Sequence, residues 1–522
     1  MVRVKYSCLP PNTGRPISLK WVFTYKYDEH GDVIGHKARL VARGFTQVPE
    51  RDYDETFSPV VRRSTTRLFF QLAAQLHFNI SQYDVKSAYL NADLDIPQYC
   101  EQPPGFEDGT NKICRIDKAL YGLKQAGRQW NIHLTNTLKA AGYLQSKYDP
   151  CLFFRVENGE LLSLAVVWVD DILQAHRNEA AHQHFFKALE KAYQVKESST
   201  ASWILGMRLQ QSAQQISIDQ AQHTKTFLQA SGMSEARPMS TPAVPAAVLK
   251  RERKHKEEES SITVFQSEFQ QLDKKMTKEY QQVVGSLLYI ADCTRPDISY
   301  AVGRLCRHMS CPTAQDMTAA KRVARYLCKY SDLPLNYKKP TEASNEVQLA
   351  AYTDASWADD RETGRTTYGY LVFINGSLVS WKSKLLRPVA LSTCEAEYMS
   401  LSEVTREVMW ITNLCEELLF KVKKPVTAFC DNEAAIMLAK NPVNHDRTKH
   451  INTYYHFVRQ TMVDGLIEPS QVGTSQQLAD GLTKGLPVDL HMKFLHGLFK
   501  TNLEKSEGKE LEEKAAVKSS KT

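Results

Sequence analysis

The stretch Leu164-Ala-Val-Val-Trp-Val-Asp-Asp-Ile-Leu173 decides how the first half of this 522-residue chain is read. Leu164 to Val169 is an unbroken apolar run, and Ile172-Leu173 resumes it beyond Asp170-Asp171. Apolar runs bounded by turn-forming residues are the pattern of buried strands, so the segment is predicted to be two strands joined by an acidic hairpin turn. On a flat strand neighbouring side chains face opposite sides, and a turn breaks that alternation. Asp170, and Asp171 with it, can therefore approach one point together with Asp84, which ends the run Phe78 to Tyr83. Carboxylates gathered in this way suit hard divalent cations. Two Mg²⁺ ions about 4 Å apart would activate a 3′-hydroxyl and stabilise a leaving pyrophosphate. Taken alone, an Asp-Asp pair in a turn is more often only a solvated turn.

Working outward, 522 residues are too many for one small core and point to two to four domains. Hydrophobic residues at 42% and charged residues at 24% are those of a folding chain, which excludes wholesale disorder. The longest apolar stretch, Leu161 to Val169, is far short of the roughly 18 residues of a membrane span, and Met1 to Pro10 lacks the apolar core of a secretory signal. No membrane association is expected, and the chain reads as intracellular and cytoplasmic. Eleven cysteines without a C-x-x-C pair read as reduced, mostly buried thiols. A net charge of +7 permits a polyanionic partner without demanding one. Residues 237–278, with three prolines and then the block Lys250-Arg-Glu-Arg-Lys-His-Lys-Glu-Glu-Glu259, read as a solvated linker, and Leu503 to Thr522 as an unstructured tail.

Before the linker, strand-like Leu19 to Tyr27 and helical Thr65 to His77 belong to an α+β pattern. After it, Tyr280 to Tyr330 reads as helical throughout. Val347 to Asp354 is a strand, and Gly369 to Phe373, Asn375-Gly376 and Leu378 to Trp381 form a hairpin. Ser392-Thr-Cys-Glu395 fits a capping box, starting a helix at Thr393 that runs to about Leu419. Thr427 to Cys430 is a strand, Asn432 to Lys440 a helix, and a later helix holds Asp480. This β-β-β-α-β-α order puts Asp354, Glu397, Asp431 and Asp480 on separate elements near strand ends and helix turns, where they could converge.

Four motifs in sequence carry a family resemblance. They are Lys37-Ala-Arg-Leu-Val-Ala-Arg-Gly44 with Tyr53-Asp-Glu-Thr-Phe-Ser-Pro59, then Asp84-Val-Lys-Ser-Ala-Tyr-Leu-Asn91, Leu120-Tyr-Gly-Leu-Lys-Gln-Ala126 and Trp168-Val-Asp-Asp171. Together they resemble the reverse transcriptase region of copia-type LTR retrotransposon Pol polyproteins. Tyr352-Thr-Asp-Ala-Ser356, Ser392 to Tyr398, Cys430-Asp-Asn432 and Leu478 to Lys484 resemble that family's ribonuclease H motifs, so the likeness extends from about Lys20 to Pro487. Trp168, Gly127, Asn452 and Gln476 depart from the usual Tyr, Pro, Asp and Asp, and none removes a metal carboxylate.

The resemblance implies an α+β polymerase palm and fingers with a helical connection, followed by an α/β ribonuclease H-like domain. The boundaries are 1–236 for fingers, palm and thumb, 237–278 for the linker, 279–345 for the connection, 346–487 for the ribonuclease H-like part and 488–522 for a C-terminal extension. Asp84 and Asp170 would bind Mg²⁺ with Asp171 in support, Lys37 and Arg39 would contact the triphosphate, Tyr89 would gate the sugar, and Gln125 would line the nucleotide. Asp354, Glu397, Asp431 and Asp480 would hold two further Mg²⁺ ions, with Glu395 left to cap its helix. Lys449 and His450, in Arg447-Thr-Lys-His-Ile451, would touch a phosphate backbone, and Asp297 would be a helix-start carboxylate. The implied partners are an RNA template, an RNA/DNA hybrid and dNTPs. The alternative is a truncated remnant that binds nucleic acid or retains only ribonuclease H activity.

Overall fold

The computed structural model describes residues 5–7, 15–27, 32–245, 271–440 and 452–500. Lys449, His450, most of the expected linker and the expected tail lie outside them. The chain packs as two compact units, Met1–Thr65 with Phe78–Ala201, and Thr66–His77 with Ser202–Thr522. No helix among the described residues is long and apolar enough to cross a membrane.

In the first unit, β1 (Lys5–Ser7), β5 (Asp93–Cys100) and β6 (Ile113–Lys118) form one antiparallel sheet, and β2 (Leu19–Tyr27) pairs with β3 (Val33–Ala42) as a ribbon. The larger sheet has the order β11-β4-β10-β9-β8-β7, built from β4 (Asn79–Val85), β7 (Leu144–Gln145), β8 (Leu152–Glu157), β9 (Glu160–Trp168), β10 (Asp171–His176) and β11 (Val195–Ser198). The expected hairpin is β9–β10, and its apolar run is buried from Ser163 to Trp168 because neither face of this central strand meets water. Helices α2 (Ala126–Ala140) and α3 (Glu179–Ala192) supply the facing apolar stripe. Trp130, Leu134, Phe185 and Leu189 pack there with Tyr83, Val167 and Ile172 in one core. Asn178 starts α3 by accepting the Ala181 amide at 3.0 Å.

Helix α1 (Arg63–Gln75) runs on into the second unit, where the buried Arg67 guanidinium lies 3.7 Å from the centre of the Trp381 ring. This unit has a sheet of β12 (Trp203–Ile204), β13 (Met207–Gln211), β14 (Gln215–Asp219) and β15 (Leu335–Lys338). Its helices are α4 (Ala221–Ala230), α5 (Lys274–Cys293), α6 (Ser299–Cys306) and α7 (Ala314–Lys329). The region expected to be helical throughout is thus three helices, interrupted around Pro296 and Pro312, where proline removes an amide donor. Asp273 caps α5 through the Met276 amide at 2.7 Å, so the helix begins inside the stretch expected to be linker. Asp297 stands in the first turn of the 3₁₀ helix Pro296–Ile298, the helix-start position expected, and is in addition buried in a two-bond pair with Arg295 (2.9 and 2.7 Å) and accepts the Tyr326 hydroxyl at 2.6 Å.

The last sheet has the order β18-β17-β16-β19-β20, from β16 (Glu346–Asp360), β17 (Arg365–Ile374), β18 (Ser377–Leu385), β19 (Lys421–Cys430) and β20 (Ile467–Gln471). Strands β16, β19 and β20 are parallel, and the β16–β17–β18 meander is antiparallel. Asn375 and Gly376 turn with φ of 48° and 79°, matching the hairpin read from sequence. Strand β20, absent from the order expected from sequence, holds Pro469 at the sheet edge, where a missing amide donor is tolerated. Helix α8 (Thr393–Glu417) covers the sheet, followed by α9 (Glu433–Lys440), α10 (Asn452–Val463) and α11 (Val488–Phe499). Its cap differs from a reciprocal capping box. Ser392 accepts the Glu395 amide at 3.2 Å, but the Glu395 carboxylate takes the amide of Leu391 at 2.7 Å, one residue early. The later helix carrying Asp480 is the short 3₁₀ helix Leu478–Leu482.

Candidate active sites

The first site forms at the β9–β10 turn. Asp171 pairs with Trp168 on one side and lies directly across from Asp84 on the other, so the two carboxylates leave the sheet on one face beside Asp170. The turn is held at its backbone. Trp130 donates its indole N–H to the Val169 carbonyl at 2.6 Å, and the Val85 amide donates to the Asp170 carbonyl at 2.9 Å. Val169 sits at φ 56°, a strained conformation for a β-branched residue that costs about 1–3 kcal/mol and persists only where the surroundings impose it. Burial, then the charges of Asp170 and Asp84, push the Asp171 carboxyl up to about 6.

These three acids open onto a cleft of about 1100 Å³ whose lining includes Lys37 and Arg39. Both cations are on β3, two residues apart and therefore on one face of the ribbon. The ribbon is docked by two glycines. A Cβ on Gly44 would lie 2.1 Å from the Gly122 carbonyl, and one on Gly122 2.1 Å from that of Ala42, so side chains there would force the backbones apart. Tyr121 was not singled out by the sequence, although its motif was. Its ring carries Arg39 at 5.7 Å and packs on Tyr89 at 4.6 Å, linking the cation to the half-buried Tyr89. Gln125 does not line the cleft. It is fully buried, giving its amide to the Asp52 carbonyl (3.0 Å) and accepting from Gln47 (3.0 Å), which also bonds Gln98 (3.1 Å) and the Lys124 amide (2.8 Å). The three glutamines brace the loop before α1.

In the second unit, Asp354, Asp431 and Asp480 bring carboxylate oxygens within 4.8 Å of one another, and Asp431 shares the same spacing with Glu397 and Cys430. Each comes from a different element. Asp354 lies mid-β16, with its carbonyl accepting from Ser400 on α8 at 2.9 Å. Glu397, one turn earlier on α8, accepts the Ala355 amide at 3.3 Å. Asp431 follows β19, and Asn432 caps α9 through the Ala435 amide at 3.0 Å. The Asp480 turn is fastened to the sheet by Gln477 donating to the Thr353 carbonyl (2.9 Å) and by Ser383 donating to the Leu482 carbonyl (2.6 Å). Gly369, across from Asp354, lets it approach, since a Cβ there would lie 2.5 Å from that of Leu482.

Asp354, Glu397 and Asp480 are buried, and burial raises all three, Glu397 well above its ordinary range and Asp480 to about 7. Mutual repulsion adds to the rise at Glu397 and Asp480. Two further residues join the cluster that the sequence reading quoted but did not assign. Thr483 donates its hydroxyl to Asp354, and the Lys484 ammonium is 2.9 Å from Asp480 and 3.9 Å from Asp354. Burial pushes the Cys430 thiol up, and the four carboxylates beside it supply an oxygen donor set. Such a set fits Mg²⁺ or Mn²⁺ rather than a thiophilic metal.

Residues 6–245 match the reverse transcriptase (RNA-dependent DNA polymerase) family. The chain is 36% identical over 479 residues to the retrovirus-related Pol polyprotein from transposon RE2 of Arabidopsis thaliana, covering 91% of this chain and 31% of that one. It thus spans about a third of the length of such relatives. It is 31% identical over 329 residues to a transposon Ty5-1 protein of Saccharomyces cerevisiae, covering 62% of this chain and 100% of that one. Among solved structures, a foamy viral protease-reverse transcriptase in complex with double-stranded DNA aligns over 84% of this chain and 63% of its own, at 11% identity and a TM-score of 0.44. With the reverse transcriptase match over its first half and relatives of this identity along most of its length, the chain belongs to the copia-type retrotransposon Pol polyproteins, within their reverse transcriptase region.

Proposed function

We propose that the chain is an RNA-directed DNA polymerase whose second unit cleaves the RNA strand of RNA/DNA hybrids. The observation that carries the polymerase reading is the pairing of β4 with β10, which sets Asp84 across from Asp171 beneath Lys37 and Arg39. Anionic and cationic walls around one cleft suit a nucleoside triphosphate, with the metal-binding end at the acids and phosphate oxygens at the cations. Asp84 and Asp170 would hold Mg²⁺, with Asp171 beside them. Arg39, steadied on Tyr121, and Lys37 bind the dNTP phosphates, and Tyr89 packs beneath the sugar. The RNA template and the primer occupy the same cleft.

Asp354, Glu397, Asp431 and Asp480 would hold the second pair of ions. Held by these carboxylates, Mg²⁺ would supply at both sites the positive charge that favours an attacking oxygen and a departing one. Ser400 fixes the main chain at Asp354, and the Ala355 amide and the Thr483 hydroxyl orient the Glu397 and Asp354 carboxylates before substrate arrives, since these bonds are already made.

The test measures both activities on one purified chain, primer extension on an RNA template with dNTPs and Mg²⁺, and cleavage of labelled RNA in a hybrid. Asp170→Asn should abolish extension and spare cleavage, and Asp354→Asn should do the reverse. Salt-sensitive binding of hybrid by folded protein, with neither activity, would leave a nucleic-acid-binding remnant instead.

A further inference from the structure

Lys484 has no part in the scheme above, yet it is the cation through which the second acidic cluster is held. Its ammonium reaches Asp480 at 2.9 Å and Asp354 at 3.9 Å. It is the positive charge acting on Asp354, Glu397 and Asp480 alike. The Asp354 and Asp480 side chains are 4% and 8% exposed, whereas that of Lys484 is 37% exposed. The lysine side chain is thus partly open to solvent while the acids its ammonium reaches are buried. Crowded carboxylates repel strongly in a site of low polarity and need a counter-charge to stay together.

We propose that Lys484 is a resident counter-ion of the four-carboxylate cluster and exchanges with the divalent cation, so that its ammonium sets how much metal the site requires. The inference rests on the metal-site reading of this cluster. A divalent ion held by Asp354, Asp431 and Asp480 would meet the ammonium at two of the same carboxylates, Asp480 and Asp354, and the two positive charges would repel each other there. Lysine suits exchange better than arginine, being a compact charge on a flexible four-carbon stem that withdraws into water without breaking a two-pronged bond. Thr483 stays behind as the fixed donor to Asp354, so the carboxylate keeps its orientation while the counter-charge changes.

The experiment measures Mn²⁺ binding by the full chain, with the first acidic site removed by Asp84→Asn and Asp170→Asn. Titration is followed by electron paramagnetic resonance of the free ion. Removing one competing charge with Lys484→Gln should tighten Mn²⁺ binding about tenfold after screening is allowed for. In the presence of a chelator the same variant should melt at a lower temperature than its parent, and Mn²⁺ should raise its melting temperature by more. Lys484→Arg, which keeps the charge, should bind Mn²⁺ within about threefold of the parent. Equal or weaker Mn²⁺ binding by Lys484→Gln, with parental binding intact, would overturn the exchange and leave the lysine a substrate contact. A parent that binds no Mn²⁺ would instead remove the metal-site reading, and the exchange with it.

Discussion

Replacing Gly369 by alanine tests whether the second site depends on how closely the Asp480 turn approaches the sheet. The new methyl would lie 2.5 Å from the Leu482 Cβ and 3.1 Å from the Thr483 methyl. Non-bonded carbons rest about 3.5–4.0 Å apart, so the turn must withdraw by about 1 Å. Leu482 is fully buried and its carbonyl is bonded to Ser383, which leaves little slack on the turn's own side. Behind the turn a Cβ on Gly481 would already lie 2.4 Å from the Phe494 ring, so α11 blocks a simple retreat. Overpacking of this kind costs about 1–3 kcal/mol of stability. A displacement of about 1 Å at a reacting group costs on the order of 100-fold in rate. Hybrid cleavage should therefore fall about 100-fold while primer extension by the same sample stays near parental, with urea denaturation reporting the stability loss. Cleavage within threefold of the parent, in a variant that folds, would refute the argument that Asp480 acts from this position.

Other outcomes follow from single contacts. Gly285 lies exposed inside α5 with no atom near its would-be Cβ, so Gly285→Ala should stabilise by about 0.5–1 kcal/mol in urea denaturation. Arg295 and Asp297 are a buried pair with side-chain exposures of 2% and 0%, so Asp297→Ala should cost about 3–5 kcal/mol by stranding the guanidinium, measured the same way. The Asp171 carboxyl is raised to about 6 in the folded chain, against about 3.9 unfolded, so the folded state holds the extra proton between those values. Metal-free protein should lose that contribution as pH rises from about 4 to 6, and Asp171→Asn should flatten this slope in thermal melts with chelator.

Sequence alone determined the elements whose signals are local. The strand Leu19–Tyr27 and the Asn375-Gly376 turn stand where their periodicity and turn chemistry put them, and Ser392 begins its helix as its side chain dictates. The acidic hairpin was legible for the same reason, because an apolar run broken by two aspartates has few other ways to fold. Local signals do not reach the strand around Pro469, whose edge position a sequence does not record, nor the 3₁₀ form of the helix around Asp480, which is too short to show its period. Tertiary structure decided which charges meet. That Asp171 faces Asp84 is a matter of register between strands distant in the chain, and that Asp297 belongs to Arg295 and Tyr326 is a matter of burial. Lys484 closes a motif in the sequence without any role marked for its charge. Only the packing of its turn against β16 and β17 brings its charge to Asp354 and Asp480, because electrostatic partnership depends on distance in space and not on separation along the chain.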